Sequence, residues 1–323
     1  MLKQKYKVVF MGTPEIGVPT LNKLIDSSDY EVVGVFTNPD RPFGRNKKLK
    51  ASPIKEIAEK NKIPVYQPER FNVDTTEDLL KLNPDLAIVI AYGQIIPKEV
   101  LKIPKYGFVN VHYSLLPKYR GAVPVQMSIK NGDKTTGITI QKMVYELDAG
   151  DIISQEEYDI GDDETTKDLW DKFSELGANQ LLDTLPKFLR GEISLIKQKN
   201  EEATFCKQSD INKEKAKIDW NFDANEIHNL IRSLNPWPVA WTTLYGKRVK
   251  IFLSEIIDNC VVNPNRPGSI NIIDNNLLVI CGHGILNILE IQVEGKRKTT
   301  GIEFAKGLKG DSDFDSENLR FGT

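Results

Sequence analysis

The chain has 323 residues, of which 40% are apolar and 27% charged, enough to build ordinary globular cores in two domains. Lys and Arg number 43 against 45 Asp and Glu, so no global field draws the chain to polyanions and any nucleic-acid binding has to rest on local basic patches. The opening MLKQKYKVVFMG has too short an apolar run for a signal-peptide core or a membrane span, and Cys206, Cys260 and Cys281 form no CxxC pair, which argues against export, a redox pair and a cysteine zinc site and leads us to expect a cytoplasmic protein.

Residues 7–11, KVVFM, read as a buried strand, and Gly12-Thr13-Pro14-Glu15 then supplies a turn, an N-cap, a first-turn proline and an acidic residue, so a helix is predicted over 14–26. Further strands are predicted over 31–37, 63–66, 86–91, 108–112 and 137–143, and helices over 53–60 (capped by Ser52), 76–82 and 123–130. This alternation, with apolar strands, implies an α/β domain with an open, mainly parallel, Rossmann-like sheet covered on both faces. A long helical pattern over 165–189 closes it, giving a first domain over residues 1–196. Residues 197–217 are polar and without period and read as a linker. An amphipathic helix over 223–234 opens the second domain, 218–308. Short strands at 240–245, 248–257, 269–273, 277–281 and 285–293, separated by turn signals, favour a small β-barrel of OB-like type. The acidic tail, 309–323, carries no clear element.

The densest chemistry follows the strand at 108–112. Alternation along it puts Asn110 and His112 on one face, and open α/β sheets bind ligands beyond the carboxyl ends of their strands. An amide donor beside an imidazole suits a tetrahedral oxyanion, since one can hydrogen-bond the developing charge while the other handles a proton. Alone, such a pair reads more readily as a satisfied polar strand end. Asp148, in the glycine turn Leu147-Asp148-Ala149-Gly150, could fix the histidine tautomer or relay a proton; alone it reads as a turn aspartate. His228 lies inside a helix and His283 in a Gly-His-Gly turn, both read as structural, and no metal site is expected. Gly12-Thr13-Pro14-Glu15-Ile16-Gly17 misses the dinucleotide fingerprint, and no GxxxxGK[ST] loop occurs.

Taken together, VNVHYSLLPKYRGAVPVQ, LDAGD and VVFMGTPE, in this order and spacing, resemble the folate-dependent formyltransferases. The basic run from Thr37 to Lys48, the Ala91-Tyr92-Gly93-Gln94-Ile95-Ile96-Pro97 loop, and Asn235-Pro236-Trp237-Pro238 and Gly284-Ile285-Leu286 are similar to the branch that formylates methionine carried by initiator tRNA. The resemblance implies the formyltransferase fold, 10-formyltetrahydrofolate as cosubstrate, Asn110, His112 and Asp148 as the catalytic trio, and a monomer. It implies a folate site formed by Ser114, Leu115, Leu116 and Pro117 with the backbone of Ala91, Tyr92 and Gly93. It also implies a tRNA path over Arg41, Arg45, Lys47 and Lys48, which the basic clusters at Lys247, Arg248, Lys296 and Arg297 could extend on the second domain. Tyr113 and Phe43 stand where the family commonly has small residues; on a strand, Tyr113 is expected to point away from His112.

The basic loop by itself also reads as a solvated charge run. Three rival functions follow: a formyltransferase acting on an amino-sugar nucleotide or other small amine, a non-catalytic RNA-binding protein, and a nucleotide-dependent oxidoreductase already weakened by the missing glycine pattern.

Overall fold

The computed structural model describes residues 5–43, 48–257, 266–309 and 319–322. The chain divides into two compact units, neither of them one stretch of sequence. Met1–Pro124, Thr136–Tyr158 and Trp170–Cys206 make the first; Val125–Thr135, Asp159–Leu169 and Lys207–Thr323 make the second.

In the first unit, β1 (Tyr6–Gly12) pairs in parallel with β2 (Tyr30–Phe36). Between them α1 (Val18–Asp26) follows a 3-10 turn at Glu15–Gly17, where continuous helix was predicted. Pro19 explains the difference. It has no N–H to give residue 15, so it is accommodated only in the first turn of the α-helix, which therefore starts later. An antiparallel pair, β3 (Arg41–Phe43) and β4 (Lys48–Lys50), precedes α2 (Pro53–Lys60), whose Ser52 cap accepts from the Lys55 N–H at 3.1 Å. Strand β5 (Val65–Tyr66) pairs with β2, and α3 (Val73–Leu82) begins earlier than its apolar period suggested because Asn72 caps it, accepting from the Thr75 N–H at 2.9 Å.

Strands β6 (Leu86–Ile90) and β7 (Phe108–His112) are buried at every position, as central parallel strands are. After them come β8 (Arg120–Gly121), α4 (Pro124–Lys130), most of which belongs to the second unit, β9 (Thr135–Lys142), β10 (Ile152–Asp159), α5 (Thr166–Leu189), whose first turn also belongs to the second unit, and β11 (Phe205–Cys206), the last pairing with β8. The seven-stranded sheet runs β10-β9-β7-β6-β1-β2-β5, parallel from β7 to β5 and antiparallel where β7 meets β9. This is the mainly parallel sheet the sequence implied. The chain builds outward from β1 through β2 and β5, then returns to place β6 on the other side, so strand order reverses beside β1. Ligands of open α/β sheets bind in the crevice at such a reversal. Gly12 ends β1 there, where a Cβ would stand 2.8 Å from the Ile90 carbonyl oxygen.

In the second unit, α6 (Ala224–Ser233) starts at a capping box of Asp223 and Glu226. The strands β12 (Ala240–Leu244), β13 (Lys247–Ile257), β14 (Ile270–Ile273), β15 (Asn276–Ile280) and β16 (Ile285–Val293) make an antiparallel sheet in the order β12-β13-β16-β15-β14, with β17 (Thr299–Thr300) on β16 and α7 (Gly301–Lys309) after it. The core beneath gathers Trp220, Ile231, Val249, Leu286 and Ala305.

The tail, where no element was expected, binds both edges of this sheet. The Ile270 N–H donates to the Leu319 carbonyl at 2.9 Å, the Phe321 N–H to Gly268 at 2.8 Å and the Gly322 N–H to Thr243 at 2.8 Å. Phe321 is 1% exposed and stacks on Trp220 with centroids 5.6 Å apart, so apolar burial anchors the segment. Residues 159–169 join the same unit through α6. Arg232 Nη1 donates to the Gly161 and Glu164 carbonyls, both at 3.1 Å, and His228 Nε2 to the Asp162 carbonyl at 3.0 Å. Burial pushes the His228 pKa below the usual histidine value, which keeps the ring neutral and matches its structural reading.

Candidate active site

Strand alternation sorts β7 as expected. Tyr113 turns towards α5, where its ring stacks on Phe173 at 6.2 Å, and burial raises its hydroxyl pKa. Asn110 and His112 project from the other face, 8% and 5% exposed. No hydrogen bond from the described residues reaches the Asn110 side chain, so its amide is available to a ligand.

His112 Nε2 lies 2.9 Å from the Tyr119 carbonyl oxygen. A carbonyl only accepts, so the neutral ring carries its proton on Nε2 and presents the Nδ1 lone pair. Nδ1 stands 3.8 Å from Asp148 Oδ2, close enough for charge to act and too far for a direct hydrogen bond. Asp148 sits in the turn after β9 with φ +46°, left-handed backbone that Asp adopts more often than most residues other than glycine, though still uncommonly. Its Oδ2 accepts from the Gly121 N–H at 2.8 Å and its Oδ1 from Gln141 Nε2 at 2.9 Å. Gln141 reaches that place because it pairs with Asn110 across β7 and β9. The trio named from sequence is therefore brought together, and the short segment Tyr119 to Gly121 touches two of its members.

Beyond the end of β6 opens a cavity of about 760 Å³, lined by Phe71, Ile95 and Tyr145 with Arg70, Lys98 and Gly93. Gly93 and Ala91 both have positive φ, and the Tyr92 side chain is buried in the core while its carbonyl accepts from Asn38 Nδ2 at 2.9 Å. Asn38 Oδ1 in turn accepts from Gln94 Nε2 at 2.9 Å, so side-chain amides fix the loop. Ser114 to Pro117 do not line this cavity. Their turn is tied inward: Ser114 Oγ donates to the Lys118 carbonyl at 2.6 Å, the Leu116 N–H to Thr139 Oγ1 at 3.2 Å, and the Leu116 carbonyl accepts from Gln155 Nε2 at 3.0 Å.

Of the basic candidates, Arg41 pairs with Glu69 at 2.9 Å on the surface, whereas Arg45, Lys47 and the Lys48 side chain lie outside the described residues. Lys247, Arg248, Lys296 and Arg297 are all exposed and share one end of the β13-β16 ladder, where the Glu294 N–H donates to the Arg248 carbonyl at 2.8 Å. Arg248 lies 4.3 Å above the Trp241 ring, which sequence reasoning had not singled out. Among the described residues no helix is long and apolar enough to cross a membrane, and no group of three or more His, Cys, Asp and Glu is placed to hold a metal ion.

Residues 6–185 match the Formyl transferase family, and residues 210–309 match Formyl transferase, C-terminal domain. The chain belongs to the formyl transferase family. Methionyl-tRNA formyltransferase of Bacillus cereus (strain G9842) is 47% identical over 306 residues, 94% of this chain and 96% of that protein. The enzyme of the same name from Clostridium novyi (strain NT) is 46% identical over 304 residues, 93% of this chain and 96% of that one. Among solved structures, the N-formyltransferase from Helicobacter canadensis in complex with folinic acid and dTDP-3-aminofucose has a TM-score of 0.66 at 20% identity, covering 88% of this chain and 98% of its own. HypX from Aquifex aeolicus in complex with tetrahydrofolic acid has a TM-score of 0.63 at 18% identity, covering 99% of this chain and 51% of its own. These structures share the formyl transferase fold. Between the two formyl transferase matches lie residues 186–209, which contribute Gln198, Asn200, Thr204 and Cys206 around the candidate site. Amide and hydroxyl side chains so far from β7 in sequence have no period and no motif by which they could have been found.

Proposed function

We propose that this protein transfers the formyl group of 10-formyltetrahydrofolate to the α-amino group of methionine carried by initiator tRNA, in the cytoplasm and as a monomer. The likeness to methionyl-tRNA formyltransferases over 94% of the chain carries this reading, since it spans both units, whereas the sugar-acting structures share only the fold at about a fifth identity.

The cavity by Gly93 fits the folate. Its aromatic and aliphatic walls, Phe71, Ile95 and Tyr145, suit flat rings, Arg70 and Lys98 suit a carboxylate tail, and Gln94 Oε1 is buried without a partner among the described residues. When bound, the folate supplies an activated formyl carbon. The attacking amine must lose a proton and the carbonyl oxygen must take up charge, and Asn110, His112 and Asp148 would answer both needs. Asn110 offers an uncommitted N–H to that oxygen. With Nε2 held by Tyr119, His112 can take a proton only at Nδ1, where the Asp148 carboxylate stabilises the resulting cation. The same proton is then available to the departing nitrogen.

The first unit would perform this transfer, and Arg41, Arg45, Lys47 and Lys48 would contribute positive charge to tRNA binding. The second would hold tRNA on the face bearing Lys247, Arg248, Lys296 and Arg297, with the Trp241 ring as a stacking platform under Arg248. Assaying formylation of charged initiator tRNA with 10-formyltetrahydrofolate, against an amino-sugar nucleotide, tests the reading. The tRNA should be formylated in preference, and exclusive use of the sugar would overturn it. Asn110→Ala and His112→Ala should each lower kcat by about two orders of magnitude, while folate affinity changes far less.

A further inference from the structure

Arg120 is 4% exposed, yet among the described residues it meets no carboxylate. Its Nε and Nη2 donate to Gln198 Oε1 at 3.1 and 2.8 Å, and Nη2 also donates to Asn200 Oδ1 at 2.8 Å. A guanidinium kept out of water without a counter-ion is costly, so its retention points to a geometric task. Gln198 extends the chain of bonds. Its Nε2 donates to the Asp148 carbonyl at 2.8 Å and to the Gly150 carbonyl at 2.7 Å. The turn so gripped is the one that holds Asp148 at φ +46°. Left-handed backbone at such a residue costs about 1–3 kcal/mol and persists only where its surroundings impose it.

The same stretch of chain grips the partner loop. The Tyr119 N–H donates to Thr204 Oγ1 at 2.8 Å, the Arg120 N–H to the Thr204 carbonyl at 2.8 Å and the Ala122 N–H to the Cys206 carbonyl at 3.0 Å. Tyr119 supplies the carbonyl that sets the His112 tautomer, and Gly121 the N–H that binds Asp148 Oδ2. Residues 198–206 therefore hold both loops that orient the pair.

We propose that Gln198, locked by Arg120, is a positioning residue for the transfer: it holds the Asp148 turn so that the carboxylate faces His112 Nδ1. It would touch neither substrate and would act by way of the Asp148 turn, and the proposal rests on the function inferred above. The experiment is a double-mutant cycle of Gln198→Met and Asp148→Asn in the full-length protein, with kcat and both KM values measured on charged initiator tRNA and 10-formyltetrahydrofolate. Gln198→Met should lower kcat by roughly 10- to 100-fold, the scale of a misplaced catalytic group, with each KM within about threefold of the parent. In the Asp148→Asn background the same substitution should cost less than about twofold, because the interaction it serves has gone. An equal fold-loss in both backgrounds, or a parent-like kcat in the single variant, would overturn the proposal. If Gln198→Met fails to fold, Gln198→Glu, which keeps an acceptor for Arg120 and replaces the amide donor by a carboxylate oxygen that repels the Asp148 and Gly150 carbonyls, should show the same loss of kcat and the same loss of coupling in the Asp148→Asn background. An inactive parent would instead refute the function and is distinguishable from either result.

Discussion

Replacing Asp148 by Asn isolates charge from shape. The carboxylate accepts from Gly121 and from Gln141, and an amide has one oxygen for these two donors. Gln141 can relieve the conflict, because its Oε1 is buried without a hydrogen-bond partner among the described residues. Turning the Gln141 amide over presents that oxygen to the new NH2 while the remaining oxygen stays on Gly121. The fold should therefore survive, and the main loss is a negative charge 3.8 Å from His112 Nδ1. Two unit charges at that distance interact by about 4 kcal/mol at an effective dielectric near 20. That amounts to roughly a thousandfold on a step in which the ring is protonated, and water entering the cleft reduces it, so kcat should fall by roughly 100- to 1000-fold. Single-turnover formylation at saturating folate and tRNA measures this step, with folate affinity and the unfolding midpoint as controls. A rate within about fivefold of the parent, in a folded protein that binds folate normally, would refute a charge role for Asp148.

Gly121→Ala should destabilise the protein by roughly 2–4 kcal/mol and depress activity, since the added Cβ would lie 2.0 Å from the Cys206 carbonyl oxygen at a backbone φ of +125°; a urea midpoint like the parent's would contradict this. Because burial depresses the His228 pKa, the unfolded chain binds a proton that the folded ring does not. This stability is complete above the unfolded value of about 6.5 and is lost as pH falls through the lower folded value, so His228→Gln should flatten the acid limb of a stability profile. Arg45→Ala should weaken use of charged tRNA, with a log affinity against log salt slope smaller by about one unit and folate affinity almost unchanged, while Arg45→Lys recovers part of the loss. Kinetics at two salt concentrations would check it, and a variant indistinguishable from the parent would return this loop to a solvated surface.

Asn110 and His112 could be read from sequence because strand alternation fixes which side chains share a face, whatever the rest of the chain does. Asp148 was legible as a turn carboxylate, but its contacts depend on Gly121 and Gln141, which no local rule links to it. Gln198 and Asn200 were illegible for a related reason: a polar stretch without period looks like a connector until the buried Arg120 it satisfies is known. Strand β10 was missed because its second half, on the sheet edge, is largely exposed and lacks an apolar period. The tail carries no legible element because its two anchors, Leu319 and Phe321, are isolated apolar residues without a period, yet both are buried in the second unit.

The interleaving of the two units along the chain bears on any attempt to recombine this protein with a relative. Residues 125–135 and 159–169 belong with residues 207–323, although the stretches between them belong to the first unit. A chimaera made by a single crossover near residue 207 would therefore pair α6 with a foreign copy of the Gly161–Glu164 turn that Arg232 and His228 bind. Exchange of intact parts needs three segments moved together, and a library built on one breakpoint would lose variants to mismatched packing whatever the merit of the transplanted surface.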